Sequence, residues 1–174
     1  MSRKQRKKNG FTLIELTVVI AIISILASIA IPQVGAIRER ASRAKCLEAL
    51  RIVGVGLHSY AADNNGAFPT DDTAQAAFRK LYVVGNVTNP MAFDCSSTQT
   101  VPTGTPGANL STPSTDLTGV DFQYNTADLT EASSGNTVIV SDKSTNHTNP
   151  AGYNVLYVDG AVGQSTSAPS GTFG

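Results

Sequence analysis

From Phe11 to Ile31 the chain runs through twenty-one positions of which Glu15 alone is charged. A helix of that length spans roughly 30 Å, the hydrocarbon thickness of a bilayer. Beyond it the pattern changes. Cys46, Leu50, Val53, Leu57 and Tyr60 recur at spacings of 4, 3, 4 and 3, one apolar stripe, while Arg38, Arg40, Arg43, Lys45 and Arg51 supply charge elsewhere on the surface. Together the two stretches predict a helix from Phe11 to about Ala62, about 75 Å long. Pro32 removes a backbone donor and, with Gly35 nearby, predicts a kink just past the apolar run. Asp63-Asn64-Asn65-Gly66 supplies turn formers ahead of Pro69. It reads as a helix stop, because most ligands of a full calcium loop are absent.

The remainder predicts short elements. Thr73 through Val84 has the pattern of a helix, with Asp72 as candidate cap and Gly85 at its end. Val120 to Tyr124 alternates, Thr137 to Val140 is β-branched, and Asn154 to Val158 meets Ala161-Val162 across the two-residue turn Asp159-Gly160. Three or four antiparallel strands are expected. So small a sheet cannot hold itself together, and its natural place is on the stripe of the long helix. Ser96 to Gly119 holds eleven Ser or Thr, three Pro, three Gly and one charged residue, Asp116, and reads as a loop. The organisation is thus a basic leader at 1–10, an apolar helix at 11–31, its amphipathic continuation at 32–66 and an α+β head at 67–174.

Composition narrows the function. Counting Gly as apolar and leaving out Tyr gives about 47% apolar residues, an ordinary globular value. Two cysteines and two histidines, none at C-x-x-C or H-x-x-x-H spacing, exclude zinc fingers, iron–sulfur sites and disulfide-dense scaffolds. Thirteen basic and thirteen acidic residues cancel, yet Arg3, Lys4, Arg6, Lys7 and Lys8 lie in the first ten positions, leaving 8 − 13 = −5 on the rest. An acidic body argues against a nucleic-acid surface. A basic cluster ahead of an apolar run keeps the N-terminus cytoplasmic and sends the rest across the membrane. In that oxidising compartment Cys46, on the covered helix face, and Cys95 are expected to pair, with two buried thiols as the alternative.

Three N-terminal architectures fit such a run. A secretory signal peptide cut after Ala30, at Ser28-Ile29-Ala30, releases a soluble domain starting at Ile31, but its apolar core is too long and contains a carboxylate. A plain anchor leaves Glu15 unexplained, although a carboxylate in a spanning helix costs about 2.5–3.5 kcal/mol and by default marks function. The third follows from Lys7-Lys8-Asn9-Gly10-Phe11-Thr12-Leu13-Ile14-Glu15, the apolar stretch and Pro32. This segment closely resembles the leader and start of type IV pilins and type II secretion pseudopilins. The resemblance implies cleavage after Gly10 by a prepilin peptidase, N-methylation of Phe11, a pilin-like fold and assembly through the apolar helix into a homo-oligomeric filament. It further implies an inner-membrane assembly platform, other pilins or pseudopilins as partners, and no cofactor. Location would be the bacterial inner membrane first, then a periplasmic pseudopilus or extracellular pilus. Glu15 is then an assembly residue, pairing with the Phe11 amine of a neighbouring subunit.

A narrower resemblance lies further along. Ala44-Lys45-Cys46-Leu47, Asp63-Asn64-Asn65-Gly66-Ala67-Phe68-Pro69, Phe93-Asp94-Cys95, His147 and Asn154-Val155-Leu156-Tyr157-Val158-Asp159-Gly160 look like pseudopilin-like proteins with an H-X9-DG signature, although eleven residues separate His147 from Asp159. Asp116 with neighbouring carbonyls resembles the calcium loop of some major pseudopilins, against the simpler reading of a solvated loop. An enzyme is not expected. His147, Asp159, Ser141 and Ser144 come with no G-x-S-x-G elbow, phosphate loop or metal cluster, and Asp71-Asp72 is a helix N-terminal acidic pair favoured by the dipole.

Overall fold

The apolar and amphipathic stretches form one 51-residue helix, α1 (Leu13–Asp63), in a computed structural model that describes residues 11–95, 120–143, 146–147 and 152–174, with backbone alone at 29–34 and 36. Gly10 and the leader, the 96–119 loop with Asp116, and Ser144 lie outside the described residues. The chain divides into two compact units, Met1–Arg38 and Glu39–Gly174. In the first, α1 is apolar on every side, and Leu13, Ile14, Leu16, Val18, Ile22 and Ile25 are all exposed. Among the described residues no helix is long and apolar enough to cross a membrane. The described side chains of the apolar run end at Ser28, whereas the run in the sequence continues to Ile31.

The second unit is the head. Cys46, Ala49, Leu50, Val53, Leu57 and Ala61 of α1 are buried, the stripe read from the sequence, with Tyr60 at its margin. The helix stops where its turn formers begin: Gly66 N–H donates to Ala61 O at 2.8 Å and Asn64 Nδ2 to Tyr60 O at 2.8 Å. Helix α2 (Ala74–Val84) follows, ending at Gly85. Its cap is Thr73 rather than Asp72: Thr73 has extended backbone and its side chain accepts from Ala76 N–H at 3.3 Å. Phe78 of α2 stacks on Phe93 at 5.1 Å and meets the edge of Tyr124 at 5.8 Å, joining α2 to a 3-10 turn at Pro90–Phe93 and to the sheet.

Four strands, β1 (Phe122–Tyr124), β2 (Val138–Asp142), β3 (Tyr153–Tyr157) and β4 (Val162–Ser165), form an antiparallel meander in chain order. The fold is α+β and pilin-like: a long N-terminal helix whose second half packs on a small antiparallel sheet. Phe122, Tyr124, Ile139, Val140 and Leu156 join the α1 stripe in one core. Between β3 and β4, Gly160 takes φ 83°, open to glycine without strain, and Asp159 Oδ1 accepts from Ala161 N–H at 2.9 Å. The chain end covers the edge of β1, where Asn125 bridges Phe173 and Gly174 N–H donates to Tyr124 O at 3.1 Å, which blocks edge-to-edge pairing. Strand β2 extends two residues past the β-branched run, through Ser141 and Asp142, both fully buried.

One contact sets the distance between α1 and the segment after α2. A Cβ at Gly56 would overlap the Val87 Cγ2 methyl, with the Asn86 carbonyl oxygen 3.6 Å away. Alanine is about 1 kcal/mol better than glycine in a helix, but overpacking a core costs about 1–3 kcal/mol. Gly56→Ala is therefore expected to lower stability by up to about 2 kcal/mol, read as a lower denaturant midpoint at unchanged slope. A gain in stability would show that Val87 yields freely.

Candidate functional site

Two places in the molecule hold the residues singled out by the sequence. The first is the start of α1. Phe11 is 85% exposed. Glu15 turns back on its own helix terminus: Thr12 N–H donates to Oε2 at 2.9 Å, Thr12 Oγ1–H donates to Oε2 at 2.6 Å, and Glu15 N–H donates to Thr12 Oγ1 at 3.3 Å. This reciprocal arrangement is a capping box, and it satisfies donors that a helix start otherwise leaves orphaned. The T-x-x-E spacing at Thr12 and Glu15 was sufficient to find it. Pro32 lies inside α1.

The second place is inside the head. Cys46 of α1 and Cys95, just past the 3-10 turn, are joined by a disulfide with Cα atoms 5.0 Å apart. Closing that loop restricts the unfolded chain by about 4 kcal/mol. Cys95 N–H donates to Asp121 Oδ2 at 3.2 Å, and Asn146 Nδ2 donates to Asp121 O at 2.9 Å. His147 thereby comes to lie against the disulfide, its Nε2 3.5 Å from Cys95 Sγ. It does not meet Asp159, which sits in the exposed β3–β4 turn. Its carboxylate neighbours are Asp142 Oδ2, 3.3 Å from Nε2, and Glu39 Oε1, 3.1 Å from Nδ1. The Glu39 approach has ion-pair distance without hydrogen-bond alignment and is an electrostatic contact. Arg43 Nε donates to the same Glu39 oxygen at 3.1 Å.

Asn154 organises the pair. Its backbone N–H donates to Asp142 Oδ1 at 2.9 Å and its Nδ2 to Asp142 Oδ2 at 2.7 Å, while Nδ2 also lies 3.2 Å from His147 Nε2. An amide nitrogen only donates, so the Asn154 approach suits an unprotonated Nε2, whereas the Asp142 and Cys95 approaches to the same nitrogen suit a protonated one. Burial is the largest influence on both titrating groups. It pushes the Asp142 carboxyl up to about 6 against the lowering effect of Asn154 and Arg43, and it lowers His147 against the raising effect of Glu39. Both therefore favour their neutral forms. No sequence signal pointed to this network, whose members come from α1, β2, β3 and an intervening segment.

The two shifts act oppositely on stability. Asp142 holds its proton more tightly folded than unfolded, so its contribution is present below its ordinary range and is lost as pH rises through about 6. His147 binds its proton less tightly folded, so its contribution is present above 6.5 and is lost as pH falls. In the disulfide-bonded protein the two slopes have opposite signs, that of Asp142 lying between pH 3.8 and about 6 and that of His147 below 6.5. His147→Gln is expected to leave stability falling with rising pH, and Asp142→Asn to leave it rising, each by at most about 1.4 kcal/mol per pH unit. Denaturant midpoints across that range check both signs. Parallel profiles for the two variants would contradict the assignment.

Comparison with known proteins bears on the first site. Residues 5–31 match the family described as the prokaryotic N-terminal methylation motif. The chain is 35% identical over 88 residues to the type II secretion system core protein G of Vibrio cholerae serotype O1, covering 51% of this chain and 56% of that protein. It is 36% identical over 69 residues to the protein of that name from Aeromonas hydrophila, covering 40% and 48%. Fimbrial protein EcpC of Eikenella corrodens is 38% identical over 104 residues, covering 59% and 64%. The matches thus span about half to two thirds of the length of these relatives. No solved structure gives a significant match. The N-terminal methylation motif and these partial relatives among type II secretion core proteins and a fimbrial protein support the type IV pilin and pseudopilin family.

Proposed function

We propose that this chain is a structural subunit of a type II secretion pseudopilus or a related type IV pilus-like filament. In this reading it is a substrate of processing enzymes, without catalysis of its own. The observation that carries the proposal is a helix apolar on all sides and exposed from Leu13 to Leu26, directly behind a methylation motif. Such a helix is stable only when surrounded by lipid or by other helices. The full run from Phe11 to Ile31 is long enough for a bilayer, so the subunit waits in the inner membrane with its N-terminus cytoplasmic. Prepilin peptidase cuts after Gly10, Phe11 is N-methylated, and an assembly platform moves the subunit into a filament in which copies of the same helix, or helices of other pilins, replace lipid. Pro32 bends the helix where it leaves the membrane.

Glu15 directs docking. In the single subunit its carboxylate is satisfied by Thr12, which makes the membrane state tolerable. In a filament core the methylated Phe11 amine of a neighbour is a stronger, charged partner, and forming that pair fixes the axial stagger. Leaving either charge unpaired there costs about 3–5 kcal/mol.

Mass spectrometry of the mature protein is expected to find singly methylated Phe11 as its first residue; a first residue of Ile31 would instead mark a secreted soluble domain. Glu15→Val is expected to be cleaved normally and to reduce filament yield at least about tenfold, with Thr12→Ala much milder. Wild-type yield from Glu15→Val expressed alone would remove the carboxylate from assembly.

A further inference from the structure

The filament role uses α1 and leaves the polar cluster of the head unemployed. Three side chains with ligand atoms suited to a borderline-soft divalent cation meet there: Cys46 on α1, Cys95 after the 3-10 turn, and His147. The ligand atoms of Cys46, Cys95 and His147 all lie within 4.8 Å of one another. His147 Nε2 is 3.5 Å from Cys95 Sγ and 3.3 Å from Asp142 Oδ2. In a tetrahedral zinc site, metal–sulfur bonds of about 2.3 Å and metal–nitrogen bonds of about 2.0–2.1 Å place sulfur about 3.5 Å from nitrogen. One such edge, from Cys95 Sγ to His147 Nε2, therefore stands ready. The missing edge joins the sulfurs, which any disulfide holds about 2 Å apart and a zinc site separates by about 3.8 Å.

The imidazole is also prepared. Nε2 faces both Cys95 and Asp142, while Nδ1 lies 3.1 Å from Glu39 Oε1, which Arg43 Nε also approaches. A carboxylate behind the distal nitrogen of a metal-bound histidine fixes its tautomer and raises its basicity. His147 and Asp142 are both buried, so water does not compete strongly for the ion.

We propose that the head in its dithiol form binds one thiophilic divalent cation of the zinc type through Cys46, Cys95 and His147, and that formation of the Cys46–Cys95 bond expels it. On binding, each thiol loses its proton, so two protons leave as the ion enters. On oxidation, the two thiolates transfer two electrons to the disulfide of a thiol oxidoreductase, which departs as its dithiol after taking up two protons. The cation leaves with its charge unchanged. Asn154 Nδ2 gives up its approach to Nε2 in the metal form while its backbone N–H keeps Asp142 Oδ1. One cluster thus ties α1 to the segment after α2 in both states, through an ion before oxidation and a covalent bond after it.

The test uses the full chain in detergent, reduced with a phosphine, desalted without oxygen and titrated with Co²⁺ and then Zn²⁺. One equivalent of Co²⁺ is expected to give tetrahedral ligand-field bands with thiolate-to-cobalt charge transfer, both bleached by one equivalent of Zn²⁺ and both absent from the oxidised chain. His147→Gln is expected to weaken Co²⁺ at least about tenfold, and Glu39→Gln about 10–100-fold. Near-ultraviolet circular dichroism of each oxidised variant checks its fold. No charge-transfer band in the reduced wild type overturns the proposal, as does unchanged affinity in a folded His147→Gln. Should His147→Gln not fold, unchanged affinity in Glu39→Gln overturns it.

Discussion

Burial of one face of α1, from Cys46 to Ala61, is the contact on which the head depends. Strands of three to five residues make a sheet too small to stand alone. What gives it a core is the helix stripe, against which Phe122, Tyr124, Ile139, Val140 and Leu156 collect. Gly54 and Gly56 belong to the same contact: Leu156 and Val87 stand where their side chains would be. The first unit poses the opposite problem. Its helix has no polar face, and the described side chains from Leu13 to Leu26 remain exposed. The chain solves its burial problem in the head and leaves it open along the first part of α1.

The head also contains groups that hydrophobic burial alone does not call for. Asp142, Asn154 and His147 are expensive to bury, and Asn154 meets the cost by donating twice to Asp142. Glu39 and Arg43 complete the network from α1, next to the disulfide that ties the same helix to the segment after α2. Apolar contact gives this junction its strength, whereas the polar network and the disulfide give it a fixed register.

The fold was largely readable from residue patterns. The 4-3-4-3 spacing from Cys46 to Tyr60 marks the buried stripe, because helical periodicity alone decides which positions share a face. The Asp159-Gly160 turn marks the last hairpin for a similar local reason. Strand ends were less legible: β2 runs on through Ser141 and Asp142, where polar residues imitate a strand end until their buried partners are known. The cap of α2 fell on Thr73 because the backbone turns there, and adjacent Asp and Thr are both capable caps. The start of α1 was partly readable, Glu15 from its charge among apolar neighbours. Its Thr12 partner required attention to the T-x-x-E spacing. The network around His147 was not readable, since Glu39, Asp142, His147 and Asn154 meet only through tertiary packing. His147 and Asp159 read from the sequence as structural or surface groups, and it is Asp142 that stands beside His147.

The claim that other subunits complete this chain is tested most directly by electron cryomicroscopy of filaments from cells that make it. The expected map has the α1 side chains from Leu13 to Leu26 packed against neighbouring copies along the filament axis, with the heads outside. A map in which subunits join through their heads while those side chains lie outside the core would contradict it.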